Sequence, residues 1–309
     1  MTDRRFFPGE VNHCYQRTAD HGVLFYSVSD HLMFFTIYCM VALRHHVKVL
    51  KLVQMPNHIH HSVIAGSVGQ LSAFCRDVAS IFAREYNRSH GLTGPVFERP
   101  FGSAPKRGKK AIRSHLIYLD NNPVERKLTD RPQAYRWNYL GFAESDHPFS
   151  EKILLRKASM PMRRALSRLQ SLHRDNQYLT YPVLQGLFKS LPEDREREQL
   201  TDYIINLYSI IDHRSATQFF GGFKNEIQAA QSVSGNEYDL KESFVGKSDS
   251  CYAMFTSLLL KTGRFKDIHK ILLLPEPEKR ALFQYLHENT LVQPRQIASY
   301  LHLPVEINF

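Results

Sequence analysis

The chain has 309 residues, 43% hydrophobic and 23% charged, and its 40 Lys and Arg against 30 Asp and Glu give a formal net charge of +10. That composition is ordinary for a soluble globular protein, the length allows two domains that each bury a core, and the positive excess suggests a polyanionic partner. No apolar run approaches the roughly 18 residues of a membrane span, and Met1-Thr2-Asp3-Arg4-Arg5-Phe6-Phe7-Pro8 has no apolar signal stretch, so a cytoplasmic, non-membrane protein is expected. Cys14, Cys39, Cys75 and Cys251 are scattered and contain no Cys-x-x-Cys pair; they read as reduced core thiols rather than bridges or a zinc knuckle.

In chain order, β-formers over residues 10–17 predict a first strand after the Pro8-Gly9 turn. A helix capped by Ser29 or Asp30 follows to about residue 44, then a strand over 47–54. Pro56-Asn57 turns into a third strand over 58–64. Gly66-Ser67 ends it, and apolar positions at Leu71, Phe74, Cys75, Val78, Ile81, Phe82 and Tyr86 keep helical spacing to about residue 88. A fourth strand is expected around 96–101, where Pro100 demotes it toward an edge. A helix over 109–121 should stop before Pro123, because the residue preceding proline avoids the α region. The order β-α-β-β-α-β is the split βαβ, ferredoxin-like pattern, so the fold class expected is α+β with a ferredoxin-like core over residues 1–146. Beyond Asp146-His147-Pro148 the periodicity turns helical. Residues 147–309 are expected to form an all-α domain with helices over 162–174, 181–189, 193–213, 215–231, 250–261, 265–273, 277–288 and 294–301, and a loop over 232–248.

Three features carry chemistry. In Met55-Pro56-Asn57-His58-Ile59-His60, strand alternation puts His58 and His60 on one face, where two imidazoles can ligate a divalent cation or simply be solvated. Lys106, Arg107, Lys109, Lys110 and Arg113 form a basic cluster without an acid. It reads either as a solvated helix start or as a phosphate-contacting DNA-binding patch. The cluster leads into the helix carrying Tyr118. A helical tyrosine is usually packing, yet a phenol can attack phosphorus and conserve the phosphodiester energy as a phosphotyrosine. Asn122 follows Tyr118 by one helical turn, and His115 precedes it by three residues as an alternative ligand or base.

Taken together, Met55-Pro56-Asn57-His58-Ile59-His60, Tyr86-Asn87-Arg88, Tyr118-Leu119-Asp120-Asn121-Asn122-Pro123-Val124 and Tyr135-Arg136-Trp137-Asn138-Tyr139 resemble the HUH-type single-tyrosine transposases, closest to the REP-associated tyrosine transposase branch, over about residues 8–142. The resemblance implies a ferredoxin-like core, His58, His60 and Asn122 as ligands of Mg2+ or Mn2+, and Tyr118 as nucleophile. It implies a single-stranded or hairpin, repeat-associated DNA substrate, a 5′-phosphotyrosyl intermediate and a free 3′-OH. It also leaves a monomer and a homodimer open, the latter with each tyrosine serving the partner's histidines. Two departures stand out: a third histidine, His61, on the opposite strand face, and Pro100 in the expected fourth strand. Tyr86, the competing nucleophile, fits better as a core position.

Two rival readings remain: a catalytically silent DNA-binding regulator that recognises hairpins, and a metal-dependent nuclease that uses water. In the helical half, residues 277–288 and 294–301 look like the first two helices of a helix-turn-helix or like an ordinary helix pair, the latter slightly favoured. Arg163, Arg164, Arg168 and Arg174 lie near one helix face, as a DNA track or as a solvated surface.

Overall fold

Four strands, β1 (Val11–Arg17), β2 (Lys48–Met55), β3 (His58–Ile64) and β4 (Gly102–Lys106), form one antiparallel sheet in the order β2-β3-β1-β4. The coordinates are a computed structural model that describes residues 5–98, 101–191, 193–232 and 248–304. Helix α1 (Val28–Arg44) connects β1 to β2, and α2 (Val68–His90) connects β3 to β4. The expected β-α-β-β-α-β order is therefore present, in a mixed α+β chain.

Local chemistry fixes the ends of these elements. The α1 cap is Ser27 rather than Ser29 or Asp30: Asp30 N donates to Ser27 Oγ (3.3 Å) while Ser27 N donates to Asp30 Oδ2 (2.8 Å), a reciprocal capping box. Ser67 caps α2, which ends on Gly91 in the left-handed region at φ 73°. The fourth strand lies one segment later than expected. Phe97 makes only an isolated bridge to Thr18, Arg99 and Pro100 fall outside the described residues, and the ladder with β1 runs from Gly102 to Lys106. Pro105 sits in this edge strand, where a missing N–H is tolerated. Gly102 is required there, because a Cβ would lie 2.1 Å from the Tyr15 ring.

Helix α3 (Gly108–Glu125) does not stop before Pro123 but runs through it. The proline falls in the last turn, and the ladder closes beyond it with Arg126 N on Asn122 O (3.1 Å) and Leu128 N on Pro123 O (2.9 Å). Three 3-10 helices (Pro132–Ala134, Arg136–Asn138 and Leu140–Ala143) follow. The remaining helices are α4 (Met160–Arg174), α5 (Tyr181–Lys189), α6 (Asp194–Tyr208), α7 (His213–Gln218), α8 (Phe223–Gln231), α9 (Cys251–Lys261), α10 (Glu276–Asn289) and α11 (Pro294–Leu301). The helix expected over 193–213 ends at Tyr208, because Ile211 bridges to Val49 of β2 and Asp212 N donates to Val49 O (2.8 Å). The one expected over 215–231 is split by Gly221 and Gly222, at φ 80° and 133°. Residues 265–273 hold a 3-10 helix, Ile268–Leu273, and most of the expected 232–248 loop lies outside the described residues.

Helices α1 and α2 pack one sheet face, and buried residues of α4, α5 and α6 (Leu166, Leu169, Leu184, Leu200, Ile204) join the same apolar cluster as Phe34, Phe35 and Phe74. A second cluster joins Val23 and Tyr26 to Phe255, Phe283, Ile297 and Tyr300. The other sheet face is covered by α3, with Leu50 of β2, Leu116 and Ile117 of α3 and Phe220 and Ala230 packed together.

Candidate active site

Antiparallel register sets out the α3-facing side of the sheet. Arg17 pairs with His58, Tyr15 with His60 and His13 with Ser62, so His13, Tyr15, Arg17, His58 and His60 share one face, while Cys14, Ile59 and His61 share the other. The His58 and His60 rings are perpendicular with centroids 4.8 Å apart, and the Tyr118 ring from α3 lies 5.7 Å from that of His60. The structure therefore brings the two histidines and the tyrosine together within one chain. His115, one turn earlier on α3, sets its ring 4.6 Å from that of His13, tilted by 43°.

The hydrogen bonds select a tautomer. His58 Nδ1 lies 2.7 Å from Asn57 Oδ1, and His60 Nδ1 lies 3.0 Å from His13 Nε2. The Asn57 oxygen takes the His58 Nδ1 proton and leaves the His58 lone pair on Nε2; donation from His60 Nδ1 to His13 would give His60 the same tautomer, the one a metal ligand needs. Burial holds His58 well below the usual histidine range, helped by His60, Arg126 and Arg17. It does the same for His13, with His115 next in effect, and for His115, with Lys106 next. These are neutral imidazoles, the form that binds metals.

Because α3 continues through Pro123, Asn122 keeps a regular helical position one turn beyond Tyr118 and one turn before Arg126. Tyr118 is beside His60, and the Arg126 charge bears on His58, so Asn122 lies on the stretch of helix that passes the histidine pair. Its side chain is fully buried, and among the described residues neither amide atom has a hydrogen-bond partner. A buried amide left this way costs about 1–3 kcal/mol unless a ligand takes it. The donor set, two buried imidazoles with a carboxamide oxygen nearby, fits a divalent cation.

Access is closed in this conformation. Tyr118, His60 and Asn122 are each 0% exposed. Val53, Met55 and Leu119 pack with Tyr118, and two polar ties hold its helix: Asp120 pairs with Lys51 of β2, which also pairs with Glu226 of α8 (2.8 Å), and Asn121 Nδ2 donates to Ala230 O (2.7 Å). Burial pushes the Asp120 carboxyl up, with Lys51 opposing and Glu226 reinforcing the shift.

Of the basic cluster, Arg107, Lys109, Lys110 and Arg113 are exposed and Lys106 is half-buried at the end of β4. Lys109, Lys110 and Arg113 line an open hollow of about 470 Å³, and Arg107 sits 4.3 Å over the Phe7 ring and 3.9 Å from Glu10. Arg163, Arg164, Arg168 and Arg174 are exposed on α4, but Arg163 already donates to the Ala158 and Arg156 carbonyls. Helix α11 buries Gln296, Ile297, Ala298, Tyr300 and Leu301, and the Tyr26 hydroxyl donates to Tyr300 O (2.6 Å). Its apolar face thus packs against the second apolar cluster, with Arg295 left exposed. Tyr86 is core, against Phe82 and His90. The Tyr135–Tyr139 motif docks on α1 and β2: Trp137 stacks on His31 at 4.1 Å, Tyr139 on Phe35 at 4.4 Å, and the Tyr135 hydroxyl donates to Gln54 O (2.8 Å).

Sequence reasoning missed His13, although its place two residues before Tyr15 on a strand already put it on the face that pairs with His60. It also missed Lys51, whose burial depends on the distant Glu226 and has no local signal. Among the described residues, Cys14, His61 and Cys75, and Asp30, His90 and His269, each gather metal-ligating atoms within 4.8 Å. The second group is an ion pair rather than a metal site. His269 directs Nδ1 at Asp267 (2.7 Å) and Nε2 at Asp30 (2.9 Å), so both nitrogens donate. Burial lowers its pKa, but the two carboxylates outweigh that and raise it to about 9, leaving a cation with no lone pair for a metal.

No protein-family profile and no curated protein matches this sequence. Among solved structures, the chain is similar to a REP-associated tyrosine transposase bound to a REP hairpin, at 15% identity over 44% of this chain and 80% of that one, with a TM-score of 0.38. A likeness that distant carries no inference about chemistry, which must come from the side chains.

Proposed function

We propose that the protein is a metal-dependent DNA strand transferase of the transposase type, cleaving and rejoining single-stranded or hairpin DNA through Tyr118. The observation that carries the reading is the meeting of Tyr118 with His58 and His60 on one sheet face, with the unbonded amide of Asn122 on the same helix. On this reading residues 1–146 are a ferredoxin-like catalytic core, for which the β2-β3-β1-β4 order is the support, and residues 147–309 are an appended helical domain. His58, His60 and Asn122 would hold Mg2+ or Mn2+, which when bound would draw charge from the non-bridging phosphate oxygens. Tyr118 Oη attacks phosphorus and forms the 5′-phosphotyrosyl bond as the P–O bond to the 3′ oxygen breaks, and the released 3′-OH can reverse the step. The phenolic proton needs a neutral acceptor; His13, whose ring is 6.0 Å from that of Tyr118, and His115 supply two. Tyr118 lies beside the histidines of its own chain, which supports action in cis and requires no partner protomer. Lys106, Arg107, Lys109, Lys110 and Arg113, at the start of the same helix, would bind the DNA backbone in the cytoplasm.

The burial of Tyr118 favours one rival, a hairpin-binding regulator without catalysis, because a fully enclosed phenol meets no phosphodiester until α3 lifts. A denaturing gel with labelled hairpin DNA and Mn2+ separates them. A covalent band in wild type, absent in Tyr118→Phe and His58→Ala, is expected. Tight native-gel binding with no product from any of the three proteins would replace transferase by regulator, and cleavage that survives Tyr118→Phe would indicate a water-using nuclease.

A further inference from the structure

The His58-Ile59-His60-His61 run contains one histidine that the proposed chemistry does not use. His61 points to the opposite face of the sheet, into the layer of α1 and α2, where it is 4% exposed. Its direct cross-strand partner is Cys14 of β1, wholly buried, and Cys75 of α2 closes the group from above. We propose that Cys14, His61 and Cys75 form a second metal site, separate from the catalytic face and specific for a thiophilic divalent cation, zinc in the first instance.

Four observations carry this. One ligand atom from each residue lies within 4.8 Å of the other two, and tetrahedral zinc, with Zn–S near 2.3 Å and Zn–N near 2.0 Å, spaces its donors by about 3.5–3.8 Å. The closure needed is therefore about an ångström. None of the four cysteines is in a disulfide, so neither Cys14 nor Cys75 is committed to a bridge. The Tyr38 hydroxyl lies 3.0 Å from His61 Nδ1, which fixes the ring from behind; donation from Nδ1–H to that oxygen would leave Nε2 as the ligating nitrogen. Finally, the wall is apolar: the Phe74 ring stands 5.8 Å from that of His61 and 5.2 Å from that of Tyr38. In such a layer a net charge is costly, and two thiolates with one neutral imidazole cancel a divalent cation completely. Binding releases the two thiol protons to solvent, and these residues supply three of the four ligands that zinc takes.

The bland alternative is two small core thiols beside a satisfied histidine. It leaves unexplained why an imidazole occupies a core position that valine or leucine would fill at lower cost. The metal reading explains it: the ion would tie β1, β3 and α2 together on the face that backs the catalytic histidines. The inference is independent of strand transfer and stands or fails separately.

The test is zinc-edge X-ray absorption on the full chain loaded with one equivalent of zinc and desalted. A shell with two sulfurs at about 2.3 Å is expected in wild type and, unchanged, in His58→Ala/His60→Ala. Cobalt loading should give a sulfur-to-metal charge-transfer band that Cys14→Ala/Cys75→Ala abolishes; if that variant does not fold, the sulfur shell of wild type decides alone. Zinc lost on desalting, a shell of nitrogen and oxygen only, or a Cys14–Cys75 disulfide in the freshly purified protein would each overturn the site.

Discussion

Lys51 and Asp120 meet as an ion pair in the interior, two residues along α3 from Tyr118, with Glu226 of α8 as a second carboxylate on the same ammonium. All three are buried, with Lys51 5% exposed and the carboxylates less. Removing the lysine would strand two carboxylates in low dielectric, whereas removing all three charges would leave nothing to solvate. Lys51→Met is therefore expected to lower unfolding free energy in urea by about 3–5 kcal/mol, and Lys51→Met/Asp120→Leu/Glu226→Met to restore most of it. A Lys51→Met loss below about 1 kcal/mol would mean that water already reaches the pair.

Asn122 predicts a conflict between stability and metal binding. Among the described residues its buried amide makes no hydrogen bond, so Asn122→Leu, which keeps the branching at Cγ, should raise stability by about 1–3 kcal/mol. The same change removes a proposed ligand, so the rise in melting temperature that Mn2+ gives wild type should shrink or vanish. Thermal melts with and without Mn2+ measure both. A destabilised Asn122→Leu chain that keeps its full Mn2+ response would remove Asn122 from the ligand set.

These residues also show how far the sequence could be read. His58, His60 and Tyr118 were legible because strand alternation and helical spacing are local, and three strands, two connecting helices and the βαββαβ order follow from the same periodicities. The fourth strand was misplaced because residues 96–101 carry the aromatic β-formers, while the true strand, Gly-Ser-Ala-Pro-Lys, has none and exists through its pairing with β1. Pro123 misled in the same way: a proline in the final turn displaces only the bond back to Leu119. The enclosure of Tyr118 was invisible, since it depends on Glu226 and Ala230, more than a hundred residues from the helix they hold.

The Asp30–His269 pair gives a pH dependence of known sign. Burial pushes the Asp30 carboxyl up, but the His269 charge outweighs it and holds that group well below the usual carboxylate range; His269 itself is raised to about 9. An unfolded histidine titrates near 6.5, so between about 6.5 and 9 the native chain binds the extra proton. The contribution, on the order of 3 kcal/mol, is complete below pH 6.5 and lost as pH rises through 9. Besides the two carboxylates, the site is faced by His90, stacked at 3.8 Å, and by Tyr26, Tyr86 and Tyr181, whose phenols burial pushes up and keeps neutral in that window. Melting temperature should fall steadily from pH 6.5 to 9 in wild type and much less in His269→Gln; equal slopes would show that another group controls the transition.

The exposed start of α3 makes a prediction about DNA that needs no catalysis. Lys109, Lys110 and Arg113 lie on the surface where helix and hollow meet, with the Arg113 guanidinium 5.3 Å over the Phe220 ring. If each neutralises one phosphate, Lys109→Ala/Lys110→Ala/Arg113→Ala should reduce the slope of log affinity against log salt by about 0.7–0.9 per charge, or roughly two to three in all. The melting temperature should stay within a degree or so of wild type, because exposed charges away from caps and ion pairs contribute little to stability. Fluorescence anisotropy with a labelled hairpin across a salt series gives the slope. An unchanged slope with unchanged affinity would move the phosphate contacts elsewhere, with the exposed arginines of α4 next to be tested.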